Sequence, residues 1–149
     1  MEKLSAIKCE VTLAAAHMVH TVDTKCFNLH GHNWKVVVEL SGTIQEDGMV
    51  VDFNDVKALL NQFDHKVWFP KISDCSKMED YRELCFSFDD AIEMPVDVIT
   101  CENVAQYFAD ILITRFPQLH LVEVTLYEGE RSSAVTYAYT EPPFKEEEE

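Results

Sequence analysis

Imidazole, thiol and carboxylate side chains stand in this chain at spacings that can do chemistry. His30-Gly31-His32 sets two imidazoles two residues apart. In extended backbone such residues point to the same side, so both rings can converge on one ion, and Gly31 would let the backbone approach closely. His17 follows Ala14-Ala15-Ala16, small residues that leave room for a pocket. A strand ending at His17 and another starting near His30 would gather three imidazoles. Three His ligands with an open fourth position make a catalytic zinc arrangement rather than a closed structural one. The His-x-His pair taken alone also fits a polar loop. His20 and His120 lack such a partner and read as surface or core-edge histidines.

Cys26 lies upstream in Cys26-Phe27-Asn28-Leu29-His30-Gly31-His32. A thiol beside a dication has a lowered pKa and can act as base or nucleophile. It can equally be a fourth ligand that closes the site, or a small buried hydrophobe. Asp64-His65 falls near the end of a helical pattern, where the negative helix end favours a protonated imidazole. Neighbours in a regular helix do not face each other, so Asp64 orients His65 only if the helix frays there. Glu128 ends a strand after Leu126-Tyr127. A carboxylate there can accept two N–H donors from a guanidine-like edge, or be an exposed acid beside a turn.

The elements that must position these groups are readable as periodicities. Leu4 to His17 is rich in β-formers and small residues, and Trp34 to Leu40 alternates with Trp34, Val36, Val38 and Leu40 on one face. Glu46-Asp47-Gly48 signals a turn. Asp52 opens a helix whose stripe of Val56, Leu59, Leu60, Phe63 and Val67 predicts some four turns up to Pro70. After a long loop, Thr100 opens a second helix carrying Val104, Tyr107, Phe108, Ile111, Leu112 and Phe116, with Pro117 as its stop. Val122 to Glu128 and Ala134 to Thr140 form a last hairpin across Gly129 to Ser133. The pattern predicts an α+β domain: a four-stranded antiparallel sheet with two helices on one face. Its edge strands would need neighbouring subunits for protection.

Composition narrows the class. At 149 residues, with 47% apolar and 26% charged, the chain has the make-up of one globular domain. Twelve basic against 27 acidic residues, a net charge of −15, argue against nucleic acid as partner but permit a small phosphorylated substrate on a local basic cluster. Cys9, Cys26, Cys75, Cys85 and Cys101 form no CxxC pair and read as reduced thiols of a cytoplasmic chain. No apolar run approaches the length of a membrane span, and Met1 to Lys8 has no signal-peptide core. The expected organisation is one domain over 1–140 with an acidic insertion at about 70–98, then a disordered acidic tail, 141–149.

Taken together, AAAH (14–17), CFNLHGHNW (26–34), MVVDFNDVK (49–57), FDHK (63–66), TCENVAQYF (100–108) and VTLYEGE (124–130) resemble the 6-pyruvoyl-tetrahydropterin synthase and 6-carboxy-tetrahydropterin synthase family, in the family's order and over most of the chain. The resemblance implies a tunnelling fold whose trimers close a barrel and stack into a hexamer. It implies Zn2+ held by His17, His30 and His32, with Cys26 as proton acceptor. Asp64 and His65 would relay protons in a site assembled between subunits. Glu128 would anchor the pterin ring, helped by Thr100, Cys101 and Glu102. Three residues separate Cys26 from His30, the spacing of the carboxy-forming branch. The resemblance therefore favours a zinc-dependent lyase of the queuosine pathway acting on 7,8-dihydroneopterin triphosphate. The alternatives are the pyruvoyl-forming enzyme, a paralogue on another pterin, and a non-catalytic zinc-holding oligomeric pterin-binding protein. Two departures stand out: Leu13 where phenylalanine is common, and the acidic stretch from Trp68 to Ile99, longer than the family's usual crossing. Lys25, Lys35, Lys66 and Arg131 are the cations available to offset that acidity.

Overall fold

The computed structural model describes residues 2–22, 25–71, 83 and 89–140. Strand β1, Leu4–His17, and strand β2, His30–Thr43, pair antiparallel in unbroken register from Leu4 opposite Thr43 to His17 opposite His30. Strand β5, Leu119–Glu128, lies antiparallel beside β2, with Trp34 opposite Glu128 and a register shift at Ser41/Gly42. Strand β6, Ser132–Tyr139, completes the antiparallel part as an edge. A β-carbon on Gly42 would stand 2.4 Å from the Gln118 carbonyl oxygen, so that glycine is required by the close approach of the chain entering β5. At Gly31 a β-carbon would meet Ala15 O at 3.6 Å, an ordinary contact, so the close approach expected there is absent.

Helix α1, Phe53–Asn61, starts where expected: Asp52 has extended backbone and its carboxylate accepts from Asn54 N at 2.8 Å. Helix α2, Cys101–Arg115, is capped by Thr100, whose hydroxyl accepts from Asn103 N at 3.2 Å. The buried side chains of both helices join one core with the inward residues of the sheet, among them Leu13, Trp34, Val38, Leu60, Trp68 and Phe108. The Trp34 and Trp68 rings lie 5.0 Å apart. Their indole N–H groups donate to Ala15 O and Phe63 O, so burying them leaves neither donor unpaired.

Two expectations are corrected. The sheet is not four-stranded and antiparallel but six-stranded and mixed. Strand β3, Lys66–Pro70, runs parallel to β1, and strand β4, Ala91–Met94, runs parallel to β3. The order is β4-β3-β1-β2-β5-β6. The first helix also stops at Asn61 rather than running on toward Pro70. His65 adopts a left-handed backbone conformation, φ 55°, and its N–H donates to Ala14 O. That turn delivers a run of β-branched and aromatic residues, Val67-Trp68-Phe69, to the edge of β1, where extended pairing suits them. Val67 fell on the helical stripe by coincidence of spacing; it packs against Met18 and Phe69 instead. Most of the expected insertion, residues 72–82 and 84–88, and the tail, 141–149, lie outside the described residues.

Candidate active site

Three adjacent strands converge at one end of the sheet. His17 and His30 close the β1–β2 ladder as a directly opposed pair, and His32 follows on the same face. Glu128, opposite Trp34, lies diagonally across from His32. The ring centroids are 4.6 Å apart for His17–His30, 4.9 Å for His30–His32 and 5.3 Å for His17–His32. The donor atoms of His17, His30, His32 and Glu128 all lie within 4.8 Å of one another.

Backbone carbonyls fix the tautomers. His17 Nδ1 donates to Ile99 O at 2.9 Å, and His30 Nδ1 donates to Asn28 O at 2.6 Å. With Nδ1 protonated, each Nε2 keeps its lone pair for the centre, the outer-shell arrangement that metal-binding histidines use. His17 Nε2 is buried without a hydrogen-bond partner. Glu128 Oε1 stands 3.6 Å from it and 2.9 Å from His32 Nε2. Burial lowers the pKa of His17 to about 4 despite the Ile99 contact, with the neighbouring imidazoles adding to the shift. Burial also lowers His32, opposed by the Glu128 carboxylate. His17 is thus held neutral with its Nε2 lone pair turned inward, the form a dication binds. Imidazole nitrogen with one carboxylate oxygen is a donor set that fits zinc.

The remaining site residues fall in two places. Cys26 sits half-buried on a 3₁₀ turn, Lys25–Phe27, just ahead of the Asn28 carbonyl that holds His30; it is outside the four-residue donor group. The Thr100–Glu102 segment adjoins the histidines through Ile99. Within it the Thr100 hydroxyl is engaged as the α2 cap, and the Cys101 thiol points at Leu126 O, 3.1 Å away. Burial raises the Cys101 pKa to about 11, which keeps it a neutral thiol. Glu102 is exposed in the first helical turn.

Asp64 and His65 form a dyad, Asp64 Oδ2 to His65 Nδ1 at 2.9 Å. Asp64 Oδ1 accepts from Ala14 N at 2.8 Å, and that bond, more than the His65 contact, holds its pKa below the ordinary carboxylate value. The fraying needed for the two to meet is the left-handed turn at His65. His65 is 81% exposed and lines a shallow depression with Ala14, Ala15, Ala16, Gly31, His32 and Asn33. Ala14, Ala16, Gly31 and Asn33 alternate with the face that carries His17, His30 and His32, while Ala15 and His32 belong to that face, so the lining mixes residues of both. Of the cations, Lys66 pairs with Asp90 at 3.2 Å, while Lys35 lies 3.6 Å from Glu10 and 5.2 Å from the centre of the Tyr127 ring.

A family model described as 6-pyruvoyl tetrahydropterin synthase matches residues 6–139, from β1 to the end of β6. The chain belongs to the 6-pyruvoyl tetrahydropterin synthase family. Among its relatives, the 6-carboxy-5,6,7,8-tetrahydropterin synthase of Aquifex aeolicus is 30% identical over 129 residues, covering 74% of each chain. The 6-pyruvoyl tetrahydrobiopterin synthase of Dictyostelium discoideum is 32% identical over 114 residues, covering 74% of this chain and 72% of that one. A catalytic-residue variant of Plasmodium vivax 6-pyruvoyltetrahydropterin synthase shares the fold, with a TM-score of 0.66 at 23% identity, covering 92% of this chain and 99% of that one.

Sequence reasoning missed the Ile99 and Asn28 carbonyls, because backbone acceptors leave no side-chain signal. It also did not place Glu128 among the histidines' donor group. The β2–β5 register would have revealed the contact, since alternation puts His32 and Glu128 on one face.

Proposed function

We propose that this member of the tetrahydropterin synthase family is a zinc-dependent 6-carboxy-5,6,7,8-tetrahydropterin synthase. Its substrate is 7,8-dihydroneopterin triphosphate, which with water gives 6-carboxy-tetrahydropterin, acetaldehyde and triphosphate, an early step toward queuosine and other 7-deazaguanines. The observation that carries the reading is the cluster of three convergent imidazoles at 4.6 to 5.3 Å, reached from the Cys26 turn through three residues. The name of the Aquifex relative supports the carboxy-forming branch. That of the Dictyostelium relative supports the pyruvoyl-forming alternative.

Zinc bound here supplies Lewis acidity to the side-chain oxygens of the substrate. The chain does the rest. Glu128 accepts the paired N–H groups of the pterin edge. Cys26 accepts a proton from the substrate side chain, and the Asp64–His65 dyad carries protons at the other end of that transfer. In this reading the site is assembled between subunits, and the dyad serves the histidine cluster of another copy. Val135, Tyr137 and Tyr139 are 51%, 52% and 55% exposed along the edge strand β6, and supply an apolar edge for such an assembly. The proposed assembly is a hexamer of two stacked trimers. Light scattering giving a monomer mass at micromolar concentration would overturn it.

Incubation of the zinc-loaded protein with dihydroneopterin triphosphate, followed by product identification, tests the reaction. Acetaldehyde with carboxy-pterin is the expected result. Pyruvoyl-pterin selects the alternative branch, and no turnover with zinc bound selects a pterin-binding protein without catalysis.

A further inference from the structure

Glu128 is held differently from His17 and His30. His17 is fully buried and fixed by Ile99 O, and His30 is fixed by Asn28 O. The Glu128 side chain is 27% exposed, and among the described residues it has no polar partner besides the imidazoles of His17 and His32. It ends β5 immediately before Gly129, whose φ of 72° turns the chain away. Four protein donors close a tetrahedral zinc site, whereas catalysis needs an open position. One of the four must leave; His32 also lacks a carbonyl anchor, but its ring packs on Trp34 with centroids 5.2 Å apart, so Glu128 is the least restrained donor.

We propose that Glu128 is an exchangeable ligand: it closes the metal position while the site is empty, and leaves it to grip the guanidine-like edge of an arriving pterin. Recognition of the ring thereby vacates the coordination position that the substrate side chain needs. This rests on the pterin reading above and adds a consequence that it lacks. One carboxylate serving two ligands makes metal and pterin antagonists in binding. By linkage, each must weaken the other by the same factor.

The test reads binding alone. Cobalt(II), whose visible bands report coordination, is titrated into metal-free wild type and Glu128→Gln, with and without saturating 6-methylpterin, a pterin lacking side-chain hydroxyls. Pterin affinity is measured by fluorescence with and without cobalt. Loss of the carboxylate should weaken cobalt binding at least about tenfold, the lower bound seen when even an outer-shell partner is removed. In wild type, 6-methylpterin should weaken cobalt binding by the factor by which cobalt weakens 6-methylpterin, and shift the cobalt spectrum toward that of Glu128→Gln. The mutual factor should vanish in the variant. Glu128→Asp, which keeps the charge on a shorter arm, should fall between the two, and guards against a misfolded Gln variant. Unchanged cobalt affinity in both variants overturns the proposal. So does a wild-type mutual factor of one, including the case in which 6-methylpterin fails to bind. Product formation is not measured, so a protein that makes carboxy-pterin yet shows no antagonism refutes the exchange alone.

Discussion

His17 should set the acid limit of the metal-free fold. Its pKa falls from 6.5 to about 4 because the ring is buried beside two other imidazoles. Between those values the unfolded chain binds the His17 proton and the folded chain does not. Stability therefore rises with pH through that window and is lost as pH falls from 6.5 toward 4. Integrating over the two titrations, His17 alone removes about 2 kcal/mol between about pH 7 and pH 5. At a urea slope of about 1–3 kcal/mol/M, that is a midpoint shift of about 1 M. His17→Gln removes the titrating group while keeping an amide able to donate to Ile99 O. Urea unfolding of both chelator-treated proteins at the two pH values isolates the effect from the acidic background. The variant should lose about 2 kcal/mol less than wild type over the interval. Asp64, whose pKa is depressed below 3.8, loses its contribution at lower pH and leaves this window undisturbed. Zinc should shield wild type, since a metal-bound imidazole cannot take the proton until the metal leaves. Equal acid losses in the two metal-free proteins would refute the claim that His17 is held neutral by burial.

Other consequences are narrower. His30→Ala should keep a cooperative fold but lose stoichiometric zinc, because the core does not include that ring; full zinc content by metal analysis sinks the ligand assignment. Cys26→Ala should retain zinc and lower kcat by about 10²–10⁴-fold with little change in KM; near wild-type single-turnover rates would remove the cysteine from the chemistry. Gly42→Ala should destabilise by about 1–3 kcal/mol, since its β-carbon meets backbone that has to move; an unchanged denaturation midpoint would show that the β2–β5 crossing is looser than its geometry.

The sequence carried the site further than it carried the sheet. Alternation in β1 and β2 is strict, so the positions of His17, His30 and His32 followed from counting by twos. Asp52 and Thr100 announced both helix starts because a cap is a local interaction. Strands β3 and β4 were hidden for the opposite reason. They pair in parallel with partners distant in sequence, and the turn that creates β3 depends on a left-handed residue, His65, that is not glycine. Val67 therefore continued a helical stripe on paper while belonging to a strand. The Glu128–His32 contact was hidden as well, because it requires the register between two strands and not the pattern within either.

The chemistry stands in two places, the donor group of His17, His30, His32 and Glu128 and the Asp64–His65 dyad. The histidine cluster is gathered within one chain, with His17 buried and His17 and His30 oriented by the chain's own carbonyls. The Asp64–His65 dyad borders an open depression lined by Ala14, Ala15, Ala16, Gly31, His32 and Asn33. If the site is assembled between subunits, Cys26 of one copy works with the dyad of another, and mixing inactive variants tests it. Cys26→Ala and His65→Ala subunits are each inactive as pure assemblies. After unfolding, equimolar mixing and refolding, a site is whole when its cysteine comes from a His65→Ala chain and its histidine from a Cys26→Ala chain. Random assembly gives each condition a probability of one half, so about one quarter of wild-type activity should return. If both groups acted from the same chain, every mixed site would lack one of them and no activity would reappear.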